Sequence, residues 1–468
     1  MRRPGGPHPL IVAGALVCAV ALAGVATEAG AGAWIEQRTG TAPAVSAVTD
    51  ADARTALEAP LPADHAVALS AVSGGTVPTP ASLASALAAV PLDGLQGGIA
   101  GTVTDPATGT VLYDKGAGQP VMPASSMKLL TATAALDLLG PDHLFTTRAV
   151  LAGPGTVVLV GGGDPYLSSG SVAAAHPERA SLDDLAASTA AALTSAGTTT
   201  VALRWDASLF DGPDRHPDWP AGYADQVTPV TALMTNEGRT SGVSPGPRTT
   251  TPSADAAKAF AGALTARGIT VTGTAALGGT LPAGAEELAR VQSMPLSTIV
   301  EDLLTSSDND AAEAIAHQVG LAAGAGGSFQ GGAAAVEQVL RQRGLWDDGA
   351  VLRDGSGLSR NNRVTPRMLA GTLALGSSDT RFRSLLTGLP VAGATGTLAS
   401  RFARSGSEAG RGEVRAKTGT LSGTSALAGY AVTASGGVVT YAFVVNDASN
   451  DDSARAWLDR ASAAVAGS

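Results

Sequence analysis

The chain has 468 residues, 15% of them charged, and a net charge of −10. A chain of that length can bury a sizeable core, and with one cysteine it must rely on that core rather than on disulfides. The acidic balance, with no basic stripe and no interleaved aromatics, argues against nucleic acid as a partner.

In chain order, Arg2-Arg3 precede an apolar run over residues 10–26, and small residues follow at 29–33. This is the layout of a secretory signal: a basic n-region, an apolar h-region and a small-residue cleavage site. The run is near the shortest length that spans a bilayer, so the alternative is an uncleaved anchor. Residues 1–33 are therefore read as a signal peptide or N-terminal anchor, and this segment is the only membrane contact expected. Cys18 lies inside the run behind Val17, which argues against lipid attachment. Residues 34–80 are rich in Ala, Thr, Pro and Val without a sustained period, and read as a flexible linker.

A short helix over 81–90 and two strands over 98–105 and 109–113 open the folded part. Pro123-Ala124-Ser125-Ser126-Met127-Lys128-Leu129 then carries helix-start signals, and the Leu- and Ala-rich run after it stops at Gly140-Pro141. On that helix Ser125 and Lys128, three apart, share a face. Ser125 sits at the N-terminus, where free N–H groups and the dipole favour negative charge. A hydroxyl, a nearby base and an anion-favouring site are the parts of acyl transfer. Taken alone, Ser-x-x-Lys reads first as a helix cap followed by a solvated lysine. Residue usage sharpens it. The chain has only four lysines, Lys115, Lys128, Lys258 and Lys417, and otherwise uses Arg, which cannot release its proton.

From about 145 to 279 the texture changes to short strands, glycines and two helices. A strand over 157–161 leads into Gly162-Gly163-Asp164-Pro165. A helix is expected over 181–196 with Asp183 and Asp184 in its first turn, a strand over 200–205, a helix over 253–267 with Ser253 as its cap, and a strand over 269–273. The segment carries few candidate catalytic groups. Gly242-Val243-Ser244-Pro245-Gly246 matches a Gly-x-Ser-x-Gly elbow, but it lacks the apolar strand before and the helix after, and reads as a loop.

A helix over 295–304 leads to Ser306-Ser307-Asp308-Asn309, and helix resumes over 314–319 to stop at Gly320. In Ser307-x-Asn309 the hydroxyl can relay a proton and the amide can hold a carbonyl; alone, helix capping is the simpler reading. Residues 354–360 form a loop before a helix start at Val364-Thr365-Pro366. A strand over 412–416 ends in Lys417-Thr418-Gly419-Thr420, where Gly419 removes a side chain for a ligand approaching the backbone. Strands over 425–434 and 438–446 and a helix over 452–465 close the chain.

Together and in this order, Ser125-x-x-Lys128, Ser307-x-Asn309 and Lys417-Thr418-Gly419 resemble the motifs of penicillin-recognising serine enzymes. The chain is most similar to the class C low-molecular-mass penicillin-binding proteins, the S13 family of D-alanyl-D-alanine carboxypeptidases and endopeptidases. Gly163-Asp164-Pro165, Glu313, the loop Asp354-Gly355-Ser356-Gly357-Leu358-Ser359-Arg360, Gly396-Thr397-Leu398 and Thr420 add to the match, which covers about 80–464. The resemblance implies an α/β (α+β) fold of the penicillin-recognising serine transpeptidase-like type. Its antiparallel sheet is flanked by helices, with an all-helical subdomain and a β-rich inserted domain. Residues 81–142 and 286–468 would then form the catalytic domain and 143–285 the insertion.

The resemblance also implies roles. Ser125 attacks peptidoglycan stem peptides ending in D-Ala-D-Ala, and β-lactam antibiotics acylate the same hydroxyl. Lys128 is the base, kept neutral by burial and by the charge of Lys417. Ser307 passes the proton to the leaving amine, and Asn309 holds the peptide amide. Lys417, Thr418 and Thr420 attract the terminal carboxylate, and the N–H groups of Ser125 and Thr420 form the oxyanion hole. No cofactor and no metal is called for, and the enzyme belongs in the extracellular or cell-wall space. The alternatives are a β-lactamase, a non-catalytic wall-binding protein on the same fold, and a Ser-His-Asp hydrolase. The first lacks a Glu-x-x-Leu-Asn element here, the second needs neither Ser125 nor Lys128, and none of the six histidines has supporting context.

Overall fold

The computed structural model describes residues 75–170, 179–241 and 246–468. The expected signal or anchor, nearly all of the linker, and residues 242–245 of the Gly-x-Ser-x-Gly match lie outside these residues. Among the described residues no helix is long and apolar enough to cross a membrane.

In chain order the first elements are α1 (Pro80–Ala88), β1 (Gly98–Thr104), β2 (Val111–Lys115) and α2 (Met127–Leu138). Next come β3 (Thr146–Gly153), β4 (Thr156–Val160), α3 (Leu182–Ser195), β5 (Thr200–Asp206), α4 (Pro252–Thr265), β6 (Thr270–Ala276) and β7 (Glu286–Gln292). Four helices follow, α5 (Leu296–Ser306), α6 (Asn309–Ala322), α7 (Phe329–Gln342) and α8 (Pro366–Ser378), and then β8 (Val414–Leu421), β9 (Thr424–Val432), β10 (Val438–Asn446) and α9 (Asp451–Ala466).

The first sheet has the order β2-β1-β10-β9-β8, antiparallel throughout. Its inner strands are apolar at successive positions because both faces are covered. In β10, Tyr441, Phe443 and Val445 face α1 and α9, while Ala442 and Val444 face the helical layer that contains α2 and α8. That alternation is the period of two of a strand. In the helical layer α2 is buried on every side from Met127 to Leu136. Its Leu129, Leu130 and Leu136 are fully buried, each contributing roughly 2 kcal/mol of transfer free energy.

The second sheet is mixed, in the order β6-β5-β4-β3-β7, with β4, β5 and β6 parallel to one another. Parallel neighbours need crossovers, and α3 and α4 supply them, packing together over the sheet around Phe260, Leu185 and Leu203.

Several local expectations change. The cap of α4 is Thr251, and Ser253 is buried in the first turn, its hydroxyl donating to the Leu233 carbonyl at 2.9 Å. Helix α6 starts at Asn309 and runs through Gly320 instead of stopping there. A Cβ at Gly320 would lie 2.3 Å from the Gly326 carbonyl oxygen and 2.8 Å from the Gly332 amide. That glycine serves close packing on α7 rather than termination. Strand β8 continues through Lys417-Thr418-Gly419-Thr420 to a tight turn at Ser422-Gly423, where Gly423 has φ +74°.

Candidate active site

Ser125 lies in a 3₁₀ turn, Ala124–Ser126, that feeds directly into α2. Ala124 has φ +47°, a left-handed conformation that costs a non-glycine residue about 1–2 kcal/mol. Two features hold it. The Ser126 hydroxyl donates to the Pro123 carbonyl at 2.7 Å. Gly357 packs so tightly on the turn that a Cβ there would lie 2.0 Å from the Ala124 carbonyl oxygen. Gly419 of β8 does the same from the other side: its Cβ would meet the Pro123 carbonyl oxygen at 2.6 Å and the Ser126 amide at 3.2 Å. Its missing side chain therefore lets strand β8 close on the Ser125 turn.

Lys128 follows one turn along the same face and is fully buried. Its Nζ is 3.0 Å from Ser125 Oγ, 2.7 Å from Asn309 Oδ1 and 2.8 Å from the Ser356 carbonyl oxygen. Asn309 Nδ2 donates to the Gln226 carbonyl at 3.0 Å, which fixes the amide so that Oδ1 faces Lys128. Two of the three partners of the amine are thus obligatory acceptors. A neutral amine has two N–H donors and one lone pair, so its lone pair is left facing the Ser125 hydroxyl. The second N–H of Asn309 Nδ2 remains for a substrate carbonyl.

Ser307 ends α5 with φ +62°, and Asp308, whose carboxylate accepts from the Ala311 amide, caps α6. Helix capping thus falls to the residue between the two that carry the motif. Lys417, also fully buried, donates to Ser307 Oγ at 2.7 Å and to the Thr418 carbonyl at 2.8 Å. Because Ser307 Oγ accepts from Lys417, its own proton is available to be donated. Thr418 reaches the other way, its hydroxyl 2.9 Å from that of Thr397. Ser125, Ser307, Asn309, Thr418 and Thr420 line one open cleft of about 960 Å³, with the two lysines beneath it. All eight predicted site residues therefore belong to one place.

Burial pushes Lys128 down to about 8. The charges around it, Glu313 first and then Asp308, Asp354 and Asp310, pull the other way. Burial is the largest cause of the shift. Lys417 is itself held well below its ordinary range by burial and then by Lys128; like charges repel mutually, so each amine disfavours the ammonium form of the other.

The loop 354–360 supplies the third partner of Lys128. Fully buried Glu313 accepts from the Gly355 and Ser356 amides at 3.0 and 2.7 Å, and burial raises its carboxyl to about 8. Asp354 accepts from the Gly357 and Ser359 amides, from Asn362 Nδ2 and from Trp219 Nε1. These contacts aim the Ser356 carbonyl at Lys128. His317 takes no part: its Nδ1 meets the Glu313 carbonyl, its ring packs between Phe210 and Phe329, and burial pushes it down to about 4.

Residues from the stretch between the first two motifs also reach the site. Gln226, Arg239 and Arg248 line the cleft, with Arg239 on Asp308 and Arg248 on Asp310. Sequence reasoning missed them. In a chain that prefers Arg, an arginine in a loop carries no signal by itself.

A sequence profile of the D-Ala-D-Ala carboxypeptidase 3 (S13) family matches residues 80–246 and 241–465. A carboxypeptidase of Mycobacterium tuberculosis is 38% identical over 387 residues, 79% of this chain and 81% of that one. A D-alanyl-D-alanine carboxypeptidase of Actinomadura sp. is 33% identical over 424 residues, 72% of this chain and 76% of that one. In three dimensions, penicillin binding protein 4 from Haemophilus influenzae matches with a TM-score of 0.66 at 20% identity, over 81% of this chain and 97% of that one. That likeness is one of fold, and it agrees with the sheet-and-helix architecture. On the extent of the profile and the identity of these relatives, the chain belongs to the D-Ala-D-Ala carboxypeptidase 3 (S13) family.

Proposed function

We propose that this peptidase works as a serine-type D-alanyl-D-alanine carboxypeptidase/endopeptidase on peptidoglycan stem peptides, through an acyl-enzyme on Ser125. The observation that carries the reading is the buried Lys128 amine 3.0 Å from Ser125 Oγ, with acceptors on its other two sides. Lys128 takes the Ser125 proton as the oxygen attacks the penultimate D-Ala carbonyl. The N–H groups of Ser125 and Thr420 stabilise the oxyanion, a pairing supported by the close seating of Gly419 on the Ser125 turn. Ser307 relays that proton from Lys128 to the leaving amine, giving its own and taking the other, with Lys417 donating to its oxygen. Asn309 presents its second N–H to the substrate amide. Lys417, Thr418 and Thr420 receive the terminal carboxylate, whose arrival favours the ammonium form of Lys417. Water then releases the acyl group.

A penicillin acylates the same hydroxyl. Intact-mass spectrometry of the purified chain after penicillin treatment should show one adduct, lost in Ser125→Ala. An adduct that persists in that variant would sink the reading, and rapid release from the native chain would turn it toward a β-lactamase. The reading extends to export, supported by Arg2-Arg3 and the apolar run over 10–26. The same spectrum reports the mature N-terminus, and so separates a cleaved signal from an anchor.

A further inference from the structure

We propose that Arg239 and Arg248 are positioning residues: they hold the carboxylates of Asp308 and Asp310, and through them keep the Ser307–Asn309 turn in register with Lys128 and Lys417. The proposal rests on the assignment of Ser125, Lys128 and Ser307 given above.

Asp308 and Asp310 flank Asn309 and are 6% and 2% exposed. A buried carboxylate needs a partner. Neither finds a cation on α6, where Asp310 sits and which Asp308 caps. Arg239 donates to Asp308 Oδ2 at 2.8 Å. Arg248, whose side chain is 3% exposed, lies 3.2 Å from Asp310 Oδ2, and the Thr228 amide donates to Asp310 Oδ1 at 2.7 Å. Between them, Asn309 is anchored on the Gln226 carbonyl. Three consecutive residues are thus tied to Gln226, Thr228, Arg239 and Arg248. Just before them stands Ser307 at φ +62°, a conformation that persists in a non-glycine residue only where the surroundings over-determine it. Two 2.7 Å contacts depend on the turn staying put, Lys417 to Ser307 and Lys128 to Asn309.

The arginines have an electrostatic effect as well. The charged groups facing Lys128 are Asp308, Asp310 and Glu313 around α6, Asp354 in the 354–360 loop, and Lys417 on β8. Each of the four carboxyls, where ionised, favours the ammonium. Arg239 is shared between Asp308 and Glu237, and Glu237 also has Arg179; losing Arg239 leaves the Asp308 charge without its cation, so Lys128 stays protonated to higher pH.

The test follows the rate of penicillin acylation of the full chain from pH 6 to pH 10. Arg239→Met should slow acylation by about 10–100-fold at neutral pH, the scale of a misplaced catalytic group, and move the rise of the rate with pH to higher pH. Arg239→Lys keeps the charge, so its rise should stay at the native pH with a smaller loss of rate. Arg239→Met combined with Asp308→Asn removes both charges of that pair while Asn still caps α6 and Glu237 keeps Arg179, and should recover most of the lost rate. An Arg239→Met chain with native rate and pH profile would overturn the proposal. So would a double variant no faster than the single one, since the effect would then be mere loss of structure. If Arg239→Met does not fold, the other two variants decide by the same criteria. A native chain that forms no adduct at Ser125 would remove the site assignment itself, a result distinct from native acylation that ignores Arg239.

Discussion

The residues around Ser125 come from two regions that do different work. The first sheet and its helical layer provide every group proposed to react: Ser125 and Lys128 at the head of α2, Ser307 at the end of α5, and Lys417 on β8. The stretch between the first two motifs provides Trp219, Gln226, Arg239 and Arg248, which touch the carboxylates, amides and loops behind those groups. One region reacts and the other holds. A substitution in the first costs chemistry, and one in the second costs geometry.

The largest effect that would sharpen this contrast lies in the reacting region. Lys128→Met keeps an unbranched buried side chain and removes the lone pair. Acylation by penicillin should fall by about 10²–10⁴-fold, the contribution of a general base. In the native chain the rate should rise with pH through about 8, because Lys128 acts only after losing its proton; in Lys128→Met that rise should vanish. Stopped-flow acylation across pH checks both. A variant that retains the pH rise would assign the base elsewhere, and the division between reacting and holding regions would have to be redrawn.

How much of this could be read beforehand depended on range along the chain. Ser125 and Lys128 are three apart on one helix, so periodicity alone brings them together. Strands β9 and β10 are largely apolar along their length, which marks strands buried on both faces. Long-range charge pairing leaves no such trace. Nothing near Arg239 points to Asp308, and the pairing appears only when the connection between β5 and α4 reaches the start of α6. Gly419 and Gly320 illustrate the same limit. A glycine announces that a side chain is unwelcome, but not whether a ligand, a carbonyl or a helix end is the reason. The direction of Asn309 was also hidden, because it depends on a backbone carbonyl, that of Gln226, which every residue type possesses.

A middle-sized effect is expected where the holding region meets the loop under Lys128. Trp219 Nε1 donates to Asp354 Oδ2 at 2.8 Å, and its ring packs against Phe329. Trp219→Phe keeps the packing and removes the donor. Asp354 retains the Gly357, Ser359 and Asn362 N–H groups, so the loop should loosen without collapsing. A hydrogen bond to a charged group stabilises by about 1.5–3 kcal/mol, and that is the expected fall in unfolding free energy by denaturant titration. Acylation should slow only a few-fold. A loss as large as that of Lys128→Met would show that this tryptophan belongs with the chemistry.

The smallest effect on catalysis belongs to Asp164, which follows β4 and lies 5% exposed. Its Oδ1 accepts from the Tyr166 amide at 2.9 Å. Burial raises its carboxyl to about 7, against the pull of that amide and of Arg179. The sign follows directly. Between the ordinary value of 3.8 and about 7 the folded chain keeps a proton that the unfolded chain has released. Stability from this group is therefore present in acid and is lost as pH rises through that window. Asp164→Asn keeps the acceptor and cannot ionise. Relative to the native chain it should gain stability between pH 5 and pH 8, by roughly 2–3 kcal/mol, while the rate of acylation stays unchanged. Denaturant midpoints of both chains at the two pH values measure this. A difference that does not move with pH would mean that Asp164 ionises like an exposed carboxyl. A change in acylation would mean that the holding region reaches further into the site than its contacts with α6 and the 354–360 loop.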